Sequence, residues 1–410
     1  MSSHLSYIWL SQRESIRPRM AAELLRVFGS PEAVYAADRE TLTRSSCGLR
    51  KAQVDALCDK DTAAAERIIA QCARQDIRII TPGDDAYPDR LRAIADPPLT
   101  LYVRGRWPDF DVLPGIAVVG TREATAYGLQ TAEAIGAALA RAGFVTVSGM
   151  ALGNDGAAHR GALRAGGLTV AVLAGGADVC YPPQHRSLMG DILLAGAVVS
   201  EYPPGTEPRG DHYHARNRII SGLSVAAVIV EAGGYRSGAL ITARHALDQG
   251  RDVYAVPGSL DAPQSKACNE LIEKGEAALL RSPEAIVRAY RGLARVHPAP
   301  PVQQAAARRP AGDPVSAPVV EEKDRKQAAQ TGQKRKPAGA PVAKAQPALP
   351  DGLREDERQI VLLVQQGTDT VEDLIERCGL PAPRVMSLVT MLEVNGILRR
   401  EKGRLVMGRQ

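Results

Sequence analysis

The sequence predicts an α/β protein built on a parallel sheet, with a helical module before it and a winged-helix unit after it. Three observations lead there. Short β-rich runs recur at intervals of roughly 25 residues between about 77 and 290, and segments of helical period separate them. Aromatic residues make up only 4% of the chain, so its cores must be Ala, Val, Leu and Ile, which suits strands covered on both faces. The last stretch reads as three helices and a hairpin.

The chain has 410 residues, enough for two or three domains of about 150 residues each. Hydrophobic residues at 45% and charged residues at 24% are the usual balance of a globular protein. The net charge of +5 permits a polyanionic partner without demanding one. The six cysteines (Cys47, Cys58, Cys72, Cys180, Cys268, Cys378) are scattered, so neither a disulfide framework nor a thiolate metal cluster is expected. The apolar stretch Tyr7–Leu10 is far too short for a signal segment, and no apolar run approaches the ~18 residues needed to span a bilayer. The cytoplasm is the expected compartment, with no membrane partner.

Residues 1–75 read as a helical module of the kind that includes SAM-like and helix-hairpin-helix units. Leu24, Leu25, Val27 and Phe28 precede Gly29, a helix-end signal, and Ser30-Pro31 then caps the next helix. Gly48-Leu49-Arg50 is placed as a turn between two further helices. Residues 76–291 form the sheet domain, with strands expected at 116–119, 144–147, 169–173, 197–199, 225–230 and 252–256. A helix over Tyr127–Arg141 puts Leu129, Ala132, Ile135 and Leu139 on one face, and Gly143 and Gly250 sit where left-handed caps are expected. Residues 292–352 are rich in Pro, Ala, Gln and Lys without an aromatic, and read as a disordered linker spanning about 40–45 Å. Residues 353–410 carry helical patterns at 358–366, 371–378 and 382–395, with Thr370 and Asp373 as a capping pair, and strands at 397–399 and 404–406.

Four blocks carry chemistry. In the first, Gly120, Thr121, Arg122, Thr125 and Gly128 follow a strand and open a helix. Backbone N–H groups there can approach an anion, the helix dipole favours it, and Arg122 offers a planar fork to phosphate oxygens. An ordinary turn with a surface arginine is the alternative. The pattern is not the glycine fingerprint of dinucleotide sites, so no such cofactor is expected. In the second, Ser148 and Gly149 lead to Asp155, a helix-capping candidate, and His159, a packed histidine rather than a catalyst. The third joins Arg209, Tyr213, Arg216, Asn217 and Arg218. An aromatic among basic groups suits single strands, where bases stack and phosphates pair. Internal ion pairing is the alternative for at least one of Arg216 and Arg218. His212 and His214 lack a third ligand, so no metal is expected. The fourth places Ser237 and Gly238 at another strand–helix turn, and Val256-Pro257-Gly258 repeats the theme. Several such turns along one sheet edge could follow a polynucleotide backbone.

Together these blocks, with Ser265–Ile272, resemble the DNA-processing protein A (DprA, also called Smf) family in order along the whole middle domain. The resemblance implies an extended Rossmann-like fold that binds single-stranded DNA, dimerises through that domain and hands the strand to a RecA-type recombinase, chiefly in natural transformation. It implies that Gly120, Thr121, Arg122 and Thr125 hold a phosphate, that Tyr213 takes the place of a family phenylalanine, and that Arg216, Asn217 and Arg218 match directly. Leu152, Asn154, His214, Ala215 and Ala267 depart from the pattern, and Leu152 and Ala215 each remove a positive charge from the presumed groove.

The rival reading is an enzyme, a Rossmann-like nucleotide phosphoribohydrolase. The turn after Glu231 lacks a carboxylate beyond its glycines, so that hydrolysis lacks its general catalyst, and no catalytic residue is expected. The winged helix offers Arg384 alone on its third helix, against Arg399, Arg400, Lys402 and Arg404 on the wing, which suits backbone contact or protein docking better than base reading.

Overall fold

Alternating buried residues on both faces of each strand set the architecture. In the computed structural model, β3 sends Ala117 and Val119 into one core and Ile116 and Val118 into another. The structure describes residues 3–234, 237–293, 355–366, 368, 370–378, 385, 388–389, 392, 397–401 and 404–407. Contacts divide the chain into two units, 1–310 and 311–410.

The first unit begins with six helices: α1 (Ser3–Ser11), α2 (Pro18–Phe28), α3 (Pro31–Ala36), α4 (Arg39–Arg44), α5 (Lys51–Cys58) and α6 (Ala63–Arg74). The apolar run Tyr7–Leu10 is the buried centre of this module. Gly29 ends α2 with φ of 84°, and the Ser30 hydroxyl accepts from the Ala33 amide at 3.1 Å, as the sequence predicts.

The chain then passes through β1 (Arg78–Ile80), α7 (Asp89–Arg92), β2 (Leu101–Gly105), β3 (Gly115–Val119), α8 (Ala126–Arg141), β4 (Val145–Ser148), α9 (Asn154–Arg164), β5 (Thr169–Leu173), α10 (Arg186–Ala195), β6 (Ala197–Ser200), α11 (Gly210–Gly222), β7 (Ser224–Ile229), α12 (Gly238–Asp248), β8 (Asp252–Ala255), α13 (Lys266–Glu273), β9 (Ala278–Leu279) and α14 (Pro283–Tyr290). The sheet order is β1-β2-β6-β5-β4-β3-β7-β8-β9. Strands β3 to β9 run parallel, while β1 and β2 add an antiparallel edge that the sequence pattern does not announce. The six expected strands are present within two residues of their expected ends.

From β3 the chain steps outward through β4, β5 and β6, then returns to lay β7 on the other side of β3. That reversal is a switch point, and crevices open outside the strand carboxyl ends at such points. Helices α11 and α12 cover one face, and α8, α9 and α14 cover the other.

The second unit contains α15 (Glu355–Gln365), α16 (Val371–Cys378) and the hairpin β10 (Leu398–Glu401) with β11 (Arg404–Met407). The Thr370 hydroxyl accepts from the Asp373 amide at 3.2 Å. Val385, Leu388, Val389 and Leu392 of the expected third helix are buried in this unit's core, and the rest of that segment lies outside the described residues, as do 294–352 of the expected linker.

His159 on α9 is fully buried, with Nδ1 2.7 Å from the Thr169 hydroxyl. Burial lowers its pKa to about 3, so the ring is neutral. Because that folded value lies below the ordinary 6.5, stability is complete above the unfolded pKa and declines as pH falls through it. Between pH 7 and pH 5 the loss should be about 2 kcal/mol. Urea melts of His159→Gln should show a flatter slope in that window; an unchanged slope would contradict a buried neutral ring.

Candidate single-strand groove at the switch point

The groove of about 1040 Å³ at the carboxyl edge is lined by the turn after β3, by α11 and by the start of α12. Two acids decide what its turns can do. Glu231, buried at the end of β7, accepts the Thr125 amide at 3.1 Å and the Thr125 hydroxyl at 2.5 Å. The Asn154 side-chain amide reaches the same carboxylate at 3.4 Å. Thr125 also caps α8 by accepting from the Gly128 amide at 3.1 Å. A Cβ at Gly128 would collide with the Glu231 carboxylate, so only glycine fits. The N-terminus of α8 is therefore filled by an anion of the protein's own, which satisfies its dipole. Thr125 and Gly128 do not present the open phosphate seat that the sequence suggests.

Asp155 does the same at the neighbouring turns. Its carboxylate accepts the Gly149 amide at 3.0 Å and the Gly120 amide at 3.4 Å. It links two strand ends rather than capping α9. Burial raises its pKa, and the Arg216 guanidinium and the Gly120 and Gly149 amides pull the other way. Ser148 is buried and donates to the Val118 carbonyl at 2.6 Å. Gly120, Ser148 and Gly149 thus spend their polar groups inside the fold.

Helix α11 sorts the third block onto two sides. Tyr213, Arg216, Asn217 and Ile220, spaced by three and four residues, line the groove. Arg216 forms its floor, buried, donating Nη1 to the Gly149 carbonyl at 2.9 Å and to the Val172 carbonyl. Asn217 donates to the Gly238 carbonyl at 3.1 Å. Arg218 points away. It is 2% exposed, bonded to both Glu201 oxygens at 2.7 and 2.9 Å and 3.1 Å from Asp96. Burial alone would lower its pKa, but Glu201 and Asp96 outweigh burial and raise it. Arg218 is a structural ion pair, which corrects its expected place in the groove. Exposed Arg209 holds His212 Nε2 at 3.0 Å, and His212 stacks on Tyr202 at 3.8 Å.

What remains open to solvent is compact. Arg122 is exposed, and its guanidinium carbon lies 5.0 Å from the centre of the half-buried Tyr213 ring. Among the described residues Arg122 has no ion pair. Tyr181, 47% exposed and unmarked by any motif, stands 6.2 Å from Tyr213 and extends the aromatic surface. Burial raises the Tyr213 pKa, so its hydroxyl stays protonated. The start of α12 opens to the groove at Ser237, Gly238 and Ala239, and Ser237 makes no side-chain cap bond. The Thr121 hydroxyl, at the groove wall, accepts the Glu123 amide at 3.2 Å. Tyr235 and Arg236 lie outside the described residues.

The fold and groove define a class: a doubly wound Rossmann-like domain with an arginine-bearing groove at its switch point, accompanied by a winged helix. Residues 78–291 match the family model of DNA recombination-mediator protein A, and residues 343–404 match that of the DprA winged helix domain. Protein Smf of Synechocystis is 43% identical over 206 residues, which are 50% of this chain and 52% of that protein. DNA processing protein DprA of Bacillus subtilis is 40% identical over 213 residues, 52% of this chain and 71% of that one. The X-ray structure of DprA from Streptococcus pneumoniae superposes with a TM-score of 0.61 at 32% identity, covering 70% of this chain and 98% of that one. The chain belongs to the DNA recombination-mediator protein A (DprA/Smf) family. Among the described residues no helix is long and apolar enough to cross a membrane.

Two arginines should therefore behave oppositely in thermal or urea unfolding. Arg218→Ala removes the buried partner of the part-buried Glu201 and should cost about 3 kcal/mol. Arg122→Ala should stay within about 0.5 kcal/mol of the parent. Equal effects would contradict the division.

Proposed function

We propose that this chain binds single-stranded DNA along the carboxyl edge of its sheet, protects the strand and helps to load a RecA-type recombinase on it. The observation that carries the reading is the exposed guanidinium of Arg122 over the ring of Tyr213. A guanidinium without a carboxylate partner takes a phosphate, and an aromatic face takes a base, which is the pairing that sequence-tolerant single-strand binding needs. Tyr181 offers a second face, and the uncapped start of α12 offers amides to the next phosphate. Membership of a family whose relatives are named DNA processing proteins supports the same reading. A homodimer formed through the sheet domain and a cytoplasmic site of action belong to the proposal.

The hydrolase reading finds less support. Of the carboxylates beside the groove, Asp155 and Glu231 are held by backbone amides and by Thr125, so neither is aimed at a substrate, which leaves exposed Glu123 as the acid that reading would need. Release of free base from nucleotides by the purified protein would favour it.

Gel shifts with oligo-dT across a salt series test the proposal. Arg122→Ala should weaken binding to every sequence and lower the salt slope by about 0.7, the value for one lost phosphate contact on a single strand. Tyr213→Ala should cost roughly 1–3 kcal/mol. If both variants bind like the parent, the groove is not the site. Deletion of residues beyond 350 should leave binding in place; its loss would transfer the role to the winged helix.

A further inference from the structure

Helix α11 separates the groove from a second concavity of about 620 Å³, where the helical module meets the sheet domain. His214 lines both. The second concavity is bounded by Arg17 and Arg19, and these two also line a third, of about 710 Å³, whose wall adds Arg50. Three depressions are thus joined, first through His214 and then through Arg17 and Arg19.

Charge changes along this line. In the second concavity Arg218 is matched by Glu201 and Asp96. In the third, Arg26 is matched by Glu23 at 2.6 Å. Arg17, Arg19 and Arg50 are exposed, and among the described residues none of them has an ion pair. Three uncompensated guanidinia on one concave surface hold a polyanion. No aromatic side chain lines the third concavity, so it offers phosphate contacts without base stacking.

We propose that Arg17, Arg19 and Arg50 of the helical module form a second subsite for the same DNA strand, which leaves the sheet-edge groove, crosses α11 at His214 and lays its sugar–phosphate chain against the module. This rests on the reading of the groove as a single-strand site. The first groove holds the base-stacking anchor, and the second subsite adds sequence-independent grip to a strand long enough to reach both. Two linked sites on one strand act together through effective concentration.

The full chain with Arg17→Ala, Arg19→Ala and Arg50→Ala together tests this. The bond that Arg50 makes to Gln53 at 2.9 Å comes from its backbone amide, so the helix start survives the change. Binding is measured with oligo-dT of about 6 and of about 24 nucleotides, lengths within and beyond the span of a single site. The triple variant should bind the short strand as the parent does. Its salt slope on the long strand should fall by about 2, at about 0.7 for each of three lost phosphate contacts. Lysine at all three positions should restore most of the slope. An unchanged slope on the long strand, or an equal loss on both lengths, overturns the subsite while leaving the groove intact. Failure of the parent to bind either length overturns the groove reading and this one with it.

Discussion

Buried carboxylates occupy the amide-rich turns of the sheet edge, and the remaining chemistry of the site follows from that. Asp155 takes the amides of Gly120 and Gly149, and Glu231 takes the amide and hydroxyl of Thr125. An unpaired buried N–H costs free energy, and so does an unpaired buried carboxylate, so each group stabilises the other. The effect is to lock β3, β4 and β7 into register at their carboxyl ends, with Arg216 beneath them as the internal cation.

Once those turns are satisfied internally, what the groove presents to solvent is what stands above them. Arg122 and Tyr213 come from the turn after β3 and from α11, and in the groove lining they meet as a guanidinium over a ring. Neither has a competing internal partner strong enough to withhold it. The start of α12 is a further helix N-terminus of the groove, and unlike α8 it has no side-chain anion shown at its cap. The departures at positions 152 and 215 divide in the same way. Leu152 is part-exposed on the turn before α9, whereas Ala215 lines the second concavity beyond α11 and takes no charge from the sheet-edge groove.

The alternation of strands and helices was legible because a parallel sheet buried on both faces leaves continuous runs of Val, Ile and Ala between helical segments. Gly143 and Gly250 were legible as caps because positive φ favours glycine, and both adopt it, at 82° and 67°. The antiparallel strands β1 and β2 were not, since three and five residues among prolines carry little periodicity. Within the site, the fate of Arg218 was partly readable. Two residues apart on a helix do not share a face, so Arg216 and Arg218 could not both line one groove once α11 began at Gly210. The role of Glu231 was not readable, because it meets Thr125 across 106 positions of sequence. Tyr181 belongs to no strand or helix and carried no signal apart from being aromatic.

The proposed strand path runs along the sheet edge against Arg122 and the rings of Tyr213 and Tyr181. Photo-crosslinking with oligonucleotides that carry 5-iododeoxyuridine, followed by peptide mapping, reports which side chains touch the bases. Crosslinks at Tyr213 and Tyr181 that fade as salt is raised are the expected result. Crosslinks confined to the winged-helix unit, with none at the sheet edge, would contradict it.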